Sequence, residues 1–371
     1  MSTIFSDNSA GELFADYECM EIPSEYDPFC NNSENISFNE NYSHILPAFF
    51  FRNKKCRKKP SYYEKKNLRY FYNTTGVILT AKLMVEISAC LIFYIIMFLC
   101  SYSLTSSLNV YYSVLSDSTV RYAFKTIAVI IATLSVFLAG CRFSVIPPSR
   151  LLKKCESLKT TDIVLFFMAG LFAYSLQNTA VLFDMQDNPV NPYEKDITQI
   201  VMVTICSCLV IPVSDGLIFR GIVLKNLSRA SQGFGIIASS FLCAISSCSF
   251  SSMIPAFVLS VILSKLTVKS NTIIPSVLIH ITVNISNAVI FIYSTLMWDS
   301  DLIITKIWTI ITLVTGGIFA FILAVKHPLP KINALQRRRT LPLFFTSVFI
   351  ILMIPFCLVA AAAEFLVYLY M

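Results

Sequence analysis

The chain has 371 residues, 56% hydrophobic and only 14% charged, whereas a soluble domain carries about a quarter charged residues. Its mean hydropathy of +0.67 excludes an ordinary soluble enzyme, because one globular core cannot bury that much apolar surface. The net charge of +7 does not point to nucleic acid, since the basic residues sit in short connections between apolar runs and no nucleic-acid module accompanies them.

Residues 1–50 hold nine Asp or Glu and no Lys or Arg, a composition that cannot offset its ordering entropy by burial, and are expected to form an acidic disordered tail. A basic juxtamembrane segment over 51–75 follows, with nine Lys or Arg between Arg52 and Arg69. The positive-inside rule places this end in the cytoplasm, and no cleaved signal peptide is expected. Apolar runs of spanning length then begin at about residues 80, 122, 163, 198, 233, 253, 273, 307 and 341. The fold expected is therefore an all-α, multi-pass transmembrane helical bundle with about eight or nine spans. Its N-terminal transmembrane helices lie within 76–160 and its C-terminal ones within 296–371.

The connections at 147–161, 225–232 and 326–339, and the one around Lys265 and Lys269, are basic, while those around Asp117, Asp184–Asp196 and Asp299 are acidic or weakly charged. Alternation puts every basic connection on the cytoplasmic side if all nine runs cross. The run at 253–268 is the weakest, because 16 residues can also be re-entrant. Of the 12 cysteines, most lie in or beside apolar runs and the remainder (Cys19, Cys30, Cys56, Cys155) in segments assigned to the reducing cytoplasm, so they read as small packing residues rather than disulfides.

An ionisable side chain inside hydrocarbon costs about 2.5–3.5 kcal/mol even on a lenient scale, so such residues are functional candidates. Lys82 and Glu86, four apart, are expected to pair at the cytoplasmic end of the first run with the lysine snorkelling. The remaining candidates cluster in the middle runs: Asp215 and Arg220, then Ser246 and Ser247, then His280, Asn284 and Asn287. His280 and Asn284 stack one turn apart on a helix face, where they can hold a water, stabilise an oxyanion, or clamp two helices. Asp215 and Arg220 are five apart, which is imperfect stacking on an α-helix, with Pro212 ahead of them to open the helix and Gly216 and Gly221 to allow close approach.

Together these residues resemble the CPBP family of multi-pass membrane endopeptidases, which includes the CAAX prenyl proteases and the bacteriocin-processing or Abi proteins. The family's paired-Glu motif EExxxR falls on Asp215-Gly216-Leu217-Ile218-Phe219-Arg220, its FxxxH on Cys243 to Ser247, and its HxxxN on His280 to Asn284, within a CPBP-like core at 161–295. The resemblance implies a water activated by a carboxylate and a histidine, with the HxxxN pair stabilising the oxyanion. Carried over, the roles fall on Asp215, Arg220, Ser247, His280 and Asn284, with Gly216 at the partner carboxylate. Asp215 shortens the carboxylate arm by a methylene, Gly216 lacks a carboxylate, and Ser247 cannot act as base or as a usual zinc ligand.

The expected function is binding of a peptide or lipid-modified segment in a polar intramembrane cavity, with peptidase activity reduced or lost. The alternative is an active endopeptidase with Asp215 as base. Within that alternative, a Cys/Asp/His site for a divalent metal such as zinc, drawing on Cys243 or Cys248, and a nucleophilic Ser247 with His280 as base are both open. The partners implied are membrane lipid and a peptide or prenylated peptide, not nucleic acid. The resemblance covers both bacterial plasma-membrane and eukaryotic endoplasmic-reticulum proteins.

Overall fold

The computed structural model describes residues 60–105, 118–144, 146–152, 158–179, 197–229, 231–296, 301–330 and 334–370. The acidic tail, most of the basic segment before the first span, and the acidic connection from Asp184 to Asp196 lie outside the described residues.

Every regular element among the described residues is helical. We label them α1 (Pro60–Thr105), α2 (Ser118–Phe143), α3 (Thr160–Gln177), α4 (from Ile197–Ile205 without interruption to Leu224–Ser228), α5 (Gln232–Ser246), α6 (Phe250–Ser270), α7 (Ile274–Leu296), α8 (Asp301–Lys326), α9 (Ala334–Phe345) and α10 (Val348–Tyr370). Among the described residues, six helices have spans long and apolar enough to cross a membrane, those in α1, α2, α3, α4, α6 and α8, and shorter apolar stretches occur in α5, α7 and α10.

Two boundaries differ from the sequence expectation. The first span begins at Leu68 rather than near residue 80, so Lys82 and Glu86 lie well inside it. The short helix of the middle pair is α5, not α6. Its end is set by serines: Ser246 and Ser247 donate to the carbonyls of Cys243 and Ala244, and Cys248 takes a left-handed φ of 52°. Helix α6 then runs from Phe250, ahead of Pro255, for 21 residues.

The helices are apolar on both sides, as a bundle in lipid requires. The larger interior cluster joins α1, α2, α4, α5 and α10 through residues such as Tyr72, Leu79, Phe137, Ile218, Phe234 and Met353. A second joins α3, α6, α7 and α8 through Phe166, Leu263, Val283 and Leu323. Outward-facing Leu91, Ile95, Leu138, Ile254, Phe321 and Val359 are exposed, and their place on spanning helices makes hydrocarbon their natural solvent. Close packing supplements this where small residues permit it. A Cβ at Gly316 on α8 would lie within 3 Å of the α3 backbone at Met168 and Phe172.

The basic connections gather at one end of the bundle. Asn226 at the end of α4 donates to Ser144 Oγ at the end of α2 (2.8 Å), and the Arg229 guanidinium donates to the Ser144 carbonyl while lying 3.8 Å from the Phe71 ring centre. Thr272 Oγ1 and the Ile273 amide both donate to the Leu151 carbonyl. At the same end Asp162 of α3 binds Lys269 Nζ (2.6 Å) and Lys326 Nζ (3.0 Å), with His327 alongside.

Candidate functional site

Helix α4 carries the site, and it is not a plain α-helix. Residues Cys206–Val210 and Gly216–Val223 form π-helical turns on either side of Ile211–Asp215. Pro212 lacks the amide that would close an α-turn onto Cys208, and single π-turns of this kind recur at functional positions. Widening the turn from i→i+4 to i→i+5 bonding turns residues five apart toward one another. Asp215 and Arg220, poorly stacked on an α-helix, thereby come within electrostatic range of each other but form no salt bridge among the described residues. The turn is held against α2 by a hydrogen bond of 2.6 Å between the hydroxyls of Ser214 and Thr133.

Arg220 is 1% exposed, among the largest fully buried side chains in the bundle. Its Nη1 donates to Nδ1 of His280 on α7 at 3.2 Å. A guanidinium has only donors, so Nδ1 is the acceptor and a neutral ring carries its proton on Nε2. Arg220 Nε is buried without a hydrogen-bond partner among the described residues. Asn284, one turn beyond His280, donates to the carbonyl of Ser207 at 2.7 Å, tying α7 to the first π-turn of α4. Asn287 accepts from Trp308 Nε1 of α8 at 3.1 Å and forms an interhelical clamp outside the site.

The structure thus brings together Asp215, Arg220 and His280, and places Asn284 beside them as a link to α4. Ser247 lies apart. It is exposed at the end of α5, where it donates to Ala244 and accepts from Ser252 Oγ at 3.1 Å. The α5 residue within electrostatic range of both Asp215 and Arg220 is Cys243.

Lys82 is the residue the sequence reading left out of the site. It pairs with Glu86 at 3.2 Å as expected, but instead of snorkelling it lies 5.8 Å from the Phe219 ring centre and within electrostatic range of Asp215. The i, i+4 pair was the available signal. What hid its role was the late start assigned to the first span, which put the pair at the membrane edge.

Gly216 occupies a contact with no spare volume. A Cβ added there would run into Cγ2 of Val277 on α7, so α4 and α7 meet where the second carboxylate of the motif would stand. Nor do the residues fit a metal. Among the described residues no group of three His, Cys, Asp or Glu is arranged to hold one, and the Nδ1 of His280 faces a permanent cation. No metal-dependent step is therefore derived.

Comparison with known proteins bears on this segment. No curated protein and no solved structure matches the chain. Residues 197–286, which run from the start of α4 to the middle of α7 and include every residue of the cluster except Lys82 and Glu86, match the family model described as type II CAAX prenyl endopeptidase Rce1-like, in agreement with the CPBP resemblance.

Proposed function

We propose that this multi-pass, CAAX-protease-like membrane protein binds a peptide or lipid-modified segment at the Asp215–Arg220–His280 cluster, with peptidase activity reduced or lost. The observation that carries the reading is the Gly216–Val277 contact, which fills the position of a second activating carboxylate. One carboxylate remains, and the two cations within electrostatic range of it are Lys82 and Arg220.

What remains suits recognition. A buried guanidinium with an unmatched N–H offers a strong donor to a carbonyl or a terminal carboxylate in a medium of low dielectric. Under this reading the basic end of the bundle is cytoplasmic, as the positive-inside rule requires, and the C-terminus is on the opposite side.

The test uses the full chain in lipid nanodiscs with a farnesylated peptide ending in a free carboxylate, scored separately for retention and for release of the C-terminal tripeptide. Wild type is expected to retain the peptide without cutting it, and Arg220→Met to lose retention. A Gly216→Glu/Val277→Ala/Ser247→His variant supplies the motif's second carboxylate and its histidine and makes room for the glutamate. Cutting by that variant alone supports a binding protein on a peptidase scaffold. Cutting by wild type that is abolished in Asp215→Ala overturns the proposal and establishes Asp215 as the base.

A further inference from the structure

Away from this cluster, α1 and α2 border an open groove of about 640 Å³ whose lining changes character along its length. Glu86 and Val129 lie at one end, Ile87 and Leu91 form an apolar wall, and Tyr94, Tyr122, Lys125 and Arg121 lie at the other end. Phe124 anchors the two helices beside it, stacked on Phe93 with ring centres 5.1 Å apart and edge-on to Tyr94 at 6.4 Å.

Arg121 and Lys125, one turn apart on α2, are both exposed and form no ion pair among the described residues. Glu86 does not offset them, because its carboxylate is already paired with Lys82. The position along the helices is equally specific. Arg121 lies about 33 Å of helix rise from the end of α2 at Phe143, so the cationic mouth is one membrane thickness away from the basic end of the bundle. Tyrosines at that level are the usual interfacial residues, and two adjacent cationic side chains complement the phosphate of an anionic lipid.

We propose that this groove is a binding site for an anionic phospholipid. The phosphate sits between Arg121 and Lys125, the tyrosine hydroxyls lie at the ester region, and an acyl chain runs along Ile87 and Leu91 toward Val129. The site is separate from the proposed peptide site and does not depend on that reading. It ends one side chain away from it, at the Glu86–Lys82 pair.

The experiment measures retention of phosphatidylglycerol against phosphatidylcholine by the full chain, purified in detergent and titrated with mixed micelles of each lipid. Wild type is expected to prefer phosphatidylglycerol, and Arg121→Gln/Lys125→Gln to reduce that preference about 10- to 30-fold. Arg142→Gln, a charge loss near the other end of α2, is expected to leave it unchanged. Leu91→Trp fills the apolar wall without altering charge and is expected to weaken retention of the lipid as well, which guards against a folding defect in the double variant. An equal preference for the two lipids in wild type overturns the proposal, as does a preference that survives the double variant. Full competition by inorganic phosphate at equal concentration also overturns it, since a lipid site requires the chain.

Discussion

Two polar clusters sit in this bundle, and they are built on opposite principles. At the basic end, Asp162 has both carboxylate oxygens engaged: Lys269 Nζ lies at 2.6 Å from Oδ2 and Lys326 Nζ at 3.0 Å from Oδ1, while Lys269 also donates to His327 Nε2 at 3.0 Å. The lysines come from the ends of α6 and α8, so one buried carboxylate joins three helices where water and head groups begin. In the interior, Arg220 makes one side-chain hydrogen bond among the described residues, to His280, and leaves Nε unmatched by them. A cluster selected to hold helices together satisfies its donors. One that leaves a buried cation incompletely matched keeps a donor in reserve, which is what the proposed binding role requires.

The largest effect expected of a single substitution tests the first half of that contrast. Asp162→Ala leaves two lysine ammonium groups facing each other without a counter-ion. A fully buried pair broken in this way costs about 3–5 kcal/mol, but the Lys269 and Lys326 side chains are 31% and 50% exposed, so about 2 kcal/mol is the figure expected here. Unfolding by SDS titration in mixed micelles reads it directly. A loss below about 0.5 kcal/mol would remove the structural role from this cluster. Asp162→Asn keeps the shape and one oxygen that accepts from a single lysine, and is expected to lose less.

Next in size is the packing beneath the interior cluster. Gly216→Ala drives a methyl into Val277 and is expected to destabilise by about 1–2 kcal/mol, the lower part of the ordinary cost of overpacking a filled core. Val277→Ala in the same chain vacates the volume and is expected to restore most of the loss. A double-mutant cycle measures the coupling, and additivity of the two changes would mean that α4 and α7 have separated rather than clashed.

Most of the architecture was readable from composition and charge, because lipid imposes so simple a rule: runs of about 20 apolar residues cross, and basic connections collect on one side. Lys269, Lys326 and His327 meet at Asp162 as that alternation requires. The match of residues 197–286 to a CAAX prenyl endopeptidase family likewise follows the motif positions read from Asp215, Arg220, His280 and Asn284. Local geometry was harder to read. Nothing in Asp215-Gly216-Leu217-Ile218-Phe219-Arg220 announces a π-turn, since a missing Pro212 amide permits one without demanding it, and hydrophobic periodicity cannot separate i→i+4 from i→i+5 bonding over so few residues. Lys82 escaped for a related reason. Its depth depends on where α1 enters the membrane, and aromatic, threonine-containing residues from Leu68 to Thr80 read as interfacial until their burial is seen.

A smaller effect separates positioning from stability within the interior site. Asn284→Ala removes the bond to the Ser207 carbonyl and is expected to cost about 1 kcal/mol, the usual value of an interhelical polar contact in a membrane. Peptide retention is expected to fall by more than that stability change accounts for, because α7 would no longer hold His280 in register with the π-turn. Asn284→Gln, with its longer arm, is expected to recover stability before it recovers retention.

The smallest stability change is expected where the charge is deepest. Replacing both partners of a buried ion pair by apolar side chains is often neutral or stabilising, because the desolvation penalty disappears with the charges, whereas removing one partner strands the other. Asp215→Leu/Arg220→Met should therefore shift unfolding by no more than about 1 kcal/mol in either direction, while abolishing retention of the farnesylated peptide. Lys82 is not stranded by the change, since it keeps Glu86 as its partner. Should the double variant instead cost as much as Asp162→Ala, the two clusters would be the same kind of object, both fasteners between helices. The unmatched Nε would then be a defect tolerated by the fold rather than a donor held ready for a ligand.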